Sequence, residues 1–317
     1  MTTTTHSLPM LLDEVEVVRA DRLSPSFVRV ELGGPCLAEF GVDGKLYDQR
    51  IKLVFPGIPG GPLPSFEGAD DSWWSTWQAR PEEERGHMRT YTVRDVVGVG
   101  ADTRLVVDIV VHDDAHSTPG PGCAWAAQAQ VGDRVVLMAP RRGMFYGGIE
   151  FVPPVTTRQL LLVGDETAVP AICAILAQLP TDAVGAAFLE VPKPADVLSV
   201  VHPEGVAITW LSRDGGDHGS VLHPAVLAHL GVGAAPLEDP VEVDPDLWET
   251  PSYSSSGEEI EEAAASVGHD LDDLYAWIAG ESGVVTALRR VLVKDLGVDR
   301  RQVAFMGYWR RGVSMKS

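Results

Sequence analysis

Long hydrophobic runs, a disulfide framework and an excess of basic charge are all missing from this sequence. Its greasiest stretch, 167–179, falls short of the roughly 18 to 20 residues that a spanning helix needs and is interrupted by Pro170. A membrane-spanning segment is therefore not expected. The three cysteines, Cys36, Cys123 and Cys173, are odd in number and far apart, which argues against paired disulfides and against a thiolate metal centre. Redox chemistry, if there is any, needs a cofactor. With 25 Lys plus Arg against 45 Asp plus Glu, the net charge of -20 repels nucleic-acid phosphates and anionic lipid alike. The opening residues Met1 to His6 are Thr-rich and place no cationic region ahead of a hydrophobic one, so a cytoplasmic protein is expected.

What is present is the balance of an ordinary globular protein: 317 residues, 45% hydrophobic and 22% charged. At roughly 150 residues per domain, that length predicts two domains. The acidity is uneven. Positions 214–288 carry 16 acids and no Lys or Arg, and within them 236–270 read as a solvated insertion rich in Glu, Pro and Ser. The following stretch, 289–317, holds eight bases and only Asp295 and Asp299.

The two halves differ in periodicity. Over 12–147 the strand signals are short and alternating, with Val28, Val30 and Leu32 on one face against Phe27, Arg29 and Glu31 on the other. Together with Val15 and Val17, 50–55, 88–94, 104–112 and 133–139, they predict a six-stranded antiparallel barrel with one helix at 123–130. Pro- and Gly-rich 56–64 and the Trp73, Trp74, Trp77 cluster read as a long excursion between the third and fourth strands. Over 148–317 continuous hydrophobic strands at 159–163, 183–191, 206–212, 274–279 and 303–309 alternate with helices at 170–179, 220–230 and 282–296. That pattern predicts a doubly wound parallel α/β domain whose ligands lie outside the carboxyl ends of its strands.

Several residues have the chemistry of a site. The strand segment Arg89-Thr90-Tyr91-Thr92-Val93-Arg94 sets a cation, a flat aromatic ring and hydroxyls side by side. Such a set can hold a phosphate, stack on a ring system and hydrogen-bond a heteroatom, although an ordinary barrel strand explains it equally well. The turn Gly120-Pro121-Gly122 opens the barrel helix, so the amides of Gly122, Cys123 and Ala124 can meet an anion there. His112, ending the strand of Val110, either touches the ligand or simply terminates the strand.

In the second half, Gly164-Asp165-Glu166-Thr167-Ala168-Val169-Pro170 lacks the glycine fingerprint of a dinucleotide-binding turn and puts two acids where a phosphate would be repelled. Glu190 at one strand end can bond ribose hydroxyls, whereas Arg213 at the next can meet a 2′-phosphate, so NADH and NADPH both remain open. In Gly280-Glu281-Ser282-Gly283, Ser282 is either a helix cap or a nicotinamide-side contact. Gly307-Tyr308-Trp309-Arg310-Arg311-Gly312 combines aromatics able to cover a ring with a doubled arginine able to attract an anion. Arg141 and Arg142 are further candidate attractors. His218 and His223, five apart, read as surface or capping residues, and no metal-ligand spacing is evident.

On these motifs, with Trp248-Glu249-Thr250-Pro251 and 275–281, the sequence strongly resembles the siderophore-interacting protein family, flavin-dependent ferric-siderophore reductases related to ferredoxin reductases. The resemblance runs from about Leu12 across nearly the whole chain. It implies FAD in the barrel, held by Arg89, Tyr91, Thr92, Val93, the strand through Val110 to His112, and 122–124. It implies NAD(P)H on the α/β domain through Asp165, Glu166, Thr167 and Ala168, with Trp309 near the flavin ring; the residue reading adds Gly164, Glu190, Arg213, Gly280 and Glu281 to the expected nucleotide site and Arg310 and Arg311 to the expected substrate side. Family members often carry Pro-Ala-Ser ahead of the Trp, where this chain has Gly122-Cys123-Ala124, so a Ser hydroxyl for the phosphate is absent. The activity implied is electron transfer from NADH or NADPH through FAD to a chelated Fe(III), by a monomer, with a ferric siderophore as its small-molecule substrate. Two rivals are a general flavin reductase serving a protein redox partner and a non-enzymatic siderophore or flavin carrier.

Overall fold

The structure is a computed structural model that describes residues 8–112, 119–233, 248–250, 253–254 and 271–312. Most of the expected acidic insertion, 236–270, lies outside the described residues. The chain divides into two compact units between Ile149 and Glu150.

The first unit is a curled antiparallel sheet of β1 (Met10–Ser24), β2 (Phe27–Gly33), β3 (Arg50–Phe55), β4 (His87–Thr92), β5 (Asp95–Val97), β6 (Arg104–Val110) and β7 (Arg134–Pro140), in the order β4-β3-β7-β1-β2-β6-β5. The six expected strands are all present, and β5 is an addition, pairing Asp95–Val97 with Val106–Arg104. Alternation sends one set of side chains inward, where Val28, Val30, Leu32, Ile51, Leu53 and Leu137 form a single buried cluster. Burying such chains is worth about 1.5–3 kcal/mol each and accounts for the strands holding their register.

Three short helices accompany the sheet. The Trp-rich excursion folds as α1 (Trp73–Gln78) and α2 (Glu82–Arg85), so the expected helix is one of three α-helices among the described residues of this unit. Trp77 is fully buried, packs with Val54, Met88 and Val136 on the outer side of the sheet, and its indole N–H donates to the Arg85 carbonyl at 2.8 Å. The third helix, α3 (Pro121–Ala126), starts two residues earlier than expected and ends before the predicted stop.

The second unit is built on β8 (Gln159–Gly164), β9 (Gly185–Val191), β10 (Val206–Ser212), β11 (Trp248–Thr250), β12 (Tyr253–Ser254), β13 (Leu274–Glu281) and β14 (Val303–Trp309), ordered β10-β9-β8-β13-β14-β11-β12. The five expected strands pair in parallel, and β11 adds an antiparallel edge through Trp248↔Met306. Helices α4 (Val169–Gln178), α5 (Leu222–His229) and α6 (Ser282–Arg289) connect them. α4 takes Pro170 in its first turn, where no N–H is missed, and Val169 to Leu176 are all buried. After α6 the expected long helix continues as a π-helical turn, Arg290–Asp295. The chain reverses between β8 and β13, the switch point at which a doubly wound sheet opens a crevice.

Candidate functional site

In the first unit the candidate residues gather on β4 and α3. Arg89 lies opposite Leu53 and Tyr91 opposite Ile51, so the inward register of β3 carries them to the same side. Tyr91 packs edge-on to Phe55, ring centroids 6.0 Å apart, and Phe55 in turn meets Trp125 of α3 at 5.1 Å. Gly122 completes the contact: a β-carbon there would lie 2.0 Å from the Tyr91 hydroxyl, so only glycine lets α3 approach. Burial raises the Tyr91 phenol far above its ordinary pKa, keeping it protonated, and burial lowers that of Arg89.

The end of β6 is tied to the same helix by the His112 amide, which donates to Cys123 Sγ at 3.1 Å. His112 itself is exposed and Val110 half-buried. Two expectations need correction. The Ala124 amide is consumed by the Gly120 carbonyl at 2.9 Å, which leaves the expected anion contact to the preceding residues of a first turn without a side-chain cap. Val93 is buried in the sheet interior, so its side chain is core.

The opposite face of the same strands holds a feature that motif reading missed. Arg50 and Lys52 are two apart on β3 and so share the outward face, a relation available from alternation alone. They line an open cleft of about 400 Å³ with Thr90, Trp73, Phe145 and Tyr146. The cleft is held open by its neighbours. Gln49 Nε2 donates to the carbonyls of Arg50 and Gly147 at 2.8 and 2.9 Å, Arg50 N donates to Gly148 O at 2.8 Å, and the Tyr146 hydroxyl donates to Met138 O at 3.1 Å. Lys52 Nζ donates to Thr90 Oγ1 at 2.9 Å. Arg141 instead pairs with Glu39, and Arg142 donates to Phe40 O at 3.0 Å.

In the second unit the carboxyl ends of β8, β9 and β13 surround a small cavity of about 10 Å³, bordered by Asp165, Glu190, His218 and Glu281. Asp165 is its hub. One carboxylate oxygen accepts from the amide and hydroxyl of Thr167, and the other accepts from Glu281 N at 2.7 Å and Trp309 Nε1 at 2.8 Å. Burial and the neighbouring Glu166 push its pKa up to about 7, against the opposing pull of those bonds. Gly280, at φ +142°, is glycine for the same reason, since a β-carbon would sit 2.6 Å from Asp165 Oδ2.

The charged strand ends, expected to meet a ribose or a 2′-phosphate, have internal partners in this structure. Glu190 is fully buried and accepts from the amides of Gly219, Val221 and Leu222 at the start of α5. Arg213 donates to both oxygens of buried Glu166 at 2.7 and 2.6 Å and lies 3.5 Å from Glu190. Burial acts to raise Glu166, but the Arg213 bonds outweigh it and hold the carboxyl below its usual range. Asp165, Glu166 and His218 offer ligand atoms within 4.8 Å of one another, yet a guanidinium seated on Glu166 opposes a cation there.

Around α6, Glu281 and not Ser282 is the helix cap, accepting from Gly283 N and Val284 N at 2.7 and 3.1 Å, while Ser282 donates to the Trp309 carbonyl at 2.9 Å. The Trp309 ring meets His218 edge-on at 4.6 Å. Arg311 pairs with exposed Asp217 at 2.8 Å, and half-buried Arg310 sits beside it at the end of β14. His223 is buried, and burial lowers its pKa, so it is not the surface residue expected. Gly164, Thr167 and Ala168 line the turn into α4, with Ala168 fully buried.

Comparison with known proteins gives this arrangement its context. Residues 16–144 match the family described as siderophore-interacting FAD-binding domain, and residues 157–312 match the one described as siderophore-interacting protein. The chain is 31% identical to ferric vibriobactin reductase ViuB of Vibrio cholerae, across 96% of this chain and 90% of that one. It is 27% identical to the NADPH-dependent ferric-chelate reductase of Escherichia coli, across 93% and 92% respectively. A solved siderophore utilization protein from T. fusca superposes with a TM-score of 0.67 at 30% identity, covering 98% of this chain and 96% of that one. The chain belongs to the siderophore-interacting protein family and has its ferredoxin reductase-like fold.

Proposed function

We propose that this protein is a flavin-dependent ferric-siderophore reductase, taking electrons from NADH or NADPH and delivering them through FAD to chelated Fe(III), which is released as Fe(II). The observation that carries the reading is the near end-to-end similarity to ferric-chelate reductases across both units. The donor set of the first unit fits a flavin nucleotide. Arg89 offers a guanidinium for a pyrophosphate, Thr92 a hydroxyl, Tyr91 a flat aromatic surface, and the uncapped start of α3 an amide-rich edge. When bound, FAD supplies the exchange between a two-electron donor and a one-electron acceptor.

The residues of this chain bind and orient; none is required to move a proton. Tyr91, protonated by its burial, offers a neutral surface and not a second base. In the second unit the reading assigns the nicotinamide nucleotide to the crevice at the carboxyl ends of β8 and β13, along Gly164, Thr167 and Gly280. Asp165 and Trp309 fix the shape of that edge, and Glu190, Glu166 and Arg213 hold it from behind. Hard oxygen donors bind Fe(II) much more weakly than Fe(III), so one electron suffices for release.

The test is anaerobic mixing of the yellow holoprotein with NADH or NADPH, followed by a ferric siderophore and an Fe(II)-specific trap. Bleaching of the flavin followed by recolouring with stoichiometric Fe(II) is expected. Flavin that stays yellow with both nucleotides, or reduced flavin that leaves every ferric chelate untouched, overturns the proposal.

A further inference from the structure

We infer that Lys193, on the loop after β9, takes the 2′-phosphate of NADPH and makes this chain discriminate against NADH. The inference rests on the proposed function and names the donor that its nucleotide site selects.

Three observations converge on that cation. The first is scarcity. Between Arg158 and Arg289 the sequence holds 22 acids and only two basic residues, Lys193 and Arg213. This stretch supplies β8, β9, β10 and β13, and so the strand ends over which a doubly wound sheet lays a nucleotide. The 2′-phosphate adds a further anionic group to a ligand that already carries a pyrophosphate. A surface this acidic repels it unless a cation stands where it lands.

The second observation is availability. Arg213 is spent on buried Glu166 and faces Glu190, Arg311 pairs with Asp217, and Arg310 is engaged as well. Lys193 is exposed and, among the described residues, pairs with no carboxylate. Glu190, three positions before it, ends the strand whose acid accepts from the ribose hydroxyls in an NADH site. Here that carboxylate is buried and accepts from the amides of Gly219, Val221 and Leu222. It gives the diol of NADH no acceptor and turns no charge toward a phosphate.

The third is construction. Pro192 and Pro194 flank Lys193 and restrict the backbone on either side of it. Asp196, fully buried, accepts from Lys193 N at 3.1 Å, and Asp196 N donates to Lys193 O at 2.9 Å. The loop is also tied to the end of β10, where Arg213 N donates to Val191 O and Asp214 N to Pro192 O, both at 3.1 Å. The ammonium therefore stands on a set base, and little beyond its own side chain is ordered on binding. Asp214, exposed at φ +44°, is the opposing charge on this rim and forms no ion pair with Lys193.

The experiment reads binding apart from electron transfer. Calorimetry measures the affinity of 2′,5′-ADP and of 5′-AMP, fragments with and without the 2′-phosphate, for the oxidised holoprotein in low and moderate salt. Anaerobic rapid mixing gives the apparent Kd of NADPH and of NADH from flavin bleaching. The phosphorylated member of each pair is expected to bind about tenfold tighter, with the margin narrowing as salt rises. Lys193→Gln is expected to erase most of that margin by weakening 2′,5′-ADP and NADPH while 5′-AMP and NADH are unmoved. Lys193→Arg is expected to keep it, and Asp214→Asn to widen it. Flavin absorbance and the thermal melt establish that each variant is folded. Equal affinity for the two fragments, or a Lys193→Gln variant that loses phosphorylated and unphosphorylated ligands alike, overturns the inference. If NADH and NADPH bleach the flavin with the same apparent Kd, the discrimination fails and the reductase reading stands. If neither bleaches it while 2′,5′-ADP still depends on Lys193, the reductase reading fails and the phosphate contact stands.

Discussion

Asp165 and Trp309 lie 144 positions apart and are joined by a hydrogen bond of 2.8 Å from the indole Nε1 to Oδ2. The bond fastens the end of β14 to the turn after β8, across β13, whose Glu281 amide donates to the same oxygen. A single buried carboxylate therefore aligns the carboxyl ends of three strands. Its protonation state is set by opposing influences, since burial and Glu166 favour the neutral acid while four donors favour the anion.

The balance predicts a pH dependence with a definite sign. Asp165 has a folded-state pKa of about 7 against an ordinary 3.8, so the folded protein holds a proton that the unfolded chain has released over that interval. The contribution to stability is full below the ordinary value and is lost as pH rises through about 7. Urea midpoints of the wild type should fall between pH 5 and pH 8 by more than those of Asp165→Asn. The Asn variant should be weaker overall, by about 1–3 kcal/mol, because its amide cannot accept from both pairs of donors. Parallel pH profiles for the two proteins would show that another group sets the slope.

Arg213 predicts a larger effect. It neutralises Glu166 bidentately and faces Glu190, and both carboxylates are fully buried. Removing only the cation leaves uncompensated charge inside the unit, which costs about 3–5 kcal/mol in comparable buried pairs. Arg213→Met should lower the melting temperature severely, and adding Glu166→Gln should recover part of the loss because one of the two buried carboxylates that Arg213 faced is then a neutral amide. If the double variant melts no higher than the single one, the ion pair is not the source.

These pairings show where the sequence was legible and where it was not. Val28, Val30 and Leu32 announce β2 because a strand with one face in the core and ion pairs such as Arg29–Asp108 on the other alternates, and β8 announces itself because its residues are hydrophobic throughout. Asp95–Val97 is too short to show a period. Trp248–Thr250 joins the sheet by pairing with β14, a distant partner that no local pattern reveals, and carries β12 on its other side. The Arg89 to Thr92 motif and the α3 turn stand out in the sequence because their residue types are unusual side by side, and the structure brings Tyr91 against Gly122. Glu190 and Arg213 misled because a charge at a strand end suits a ligand and an internal ion pair equally well. The approach of Arg213 to Glu166, 47 positions away, is what local sequence could not show.

The contact between Gly122 and Tyr91 gives the most discriminating test of the first unit. A β-carbon on Gly122 would stand 2.0 Å from the Tyr91 hydroxyl, 3.3 Å from the ring carbon that bears it and 3.1 Å from Phe55. Gly122→Ala therefore forces α3 away from β4 or pushes the Tyr91 ring off its seat against Phe55, at about 1–3 kcal/mol. Both movements disturb the residues assigned to flavin, so the variant should purify with less cofactor and a lower melting temperature. Removing the hydroxyl relieves the worst overlap, since the remaining approaches are ones a small shift can absorb. Tyr91→Phe combined with Gly122→Ala should then recover stability relative to Gly122→Ala alone, although Tyr91→Phe by itself gains nothing. Thermal melts and the ratio of flavin to protein absorbance across the four proteins measure the coupling, and simple additivity would show that the hydroxyl is not what excludes the side chain.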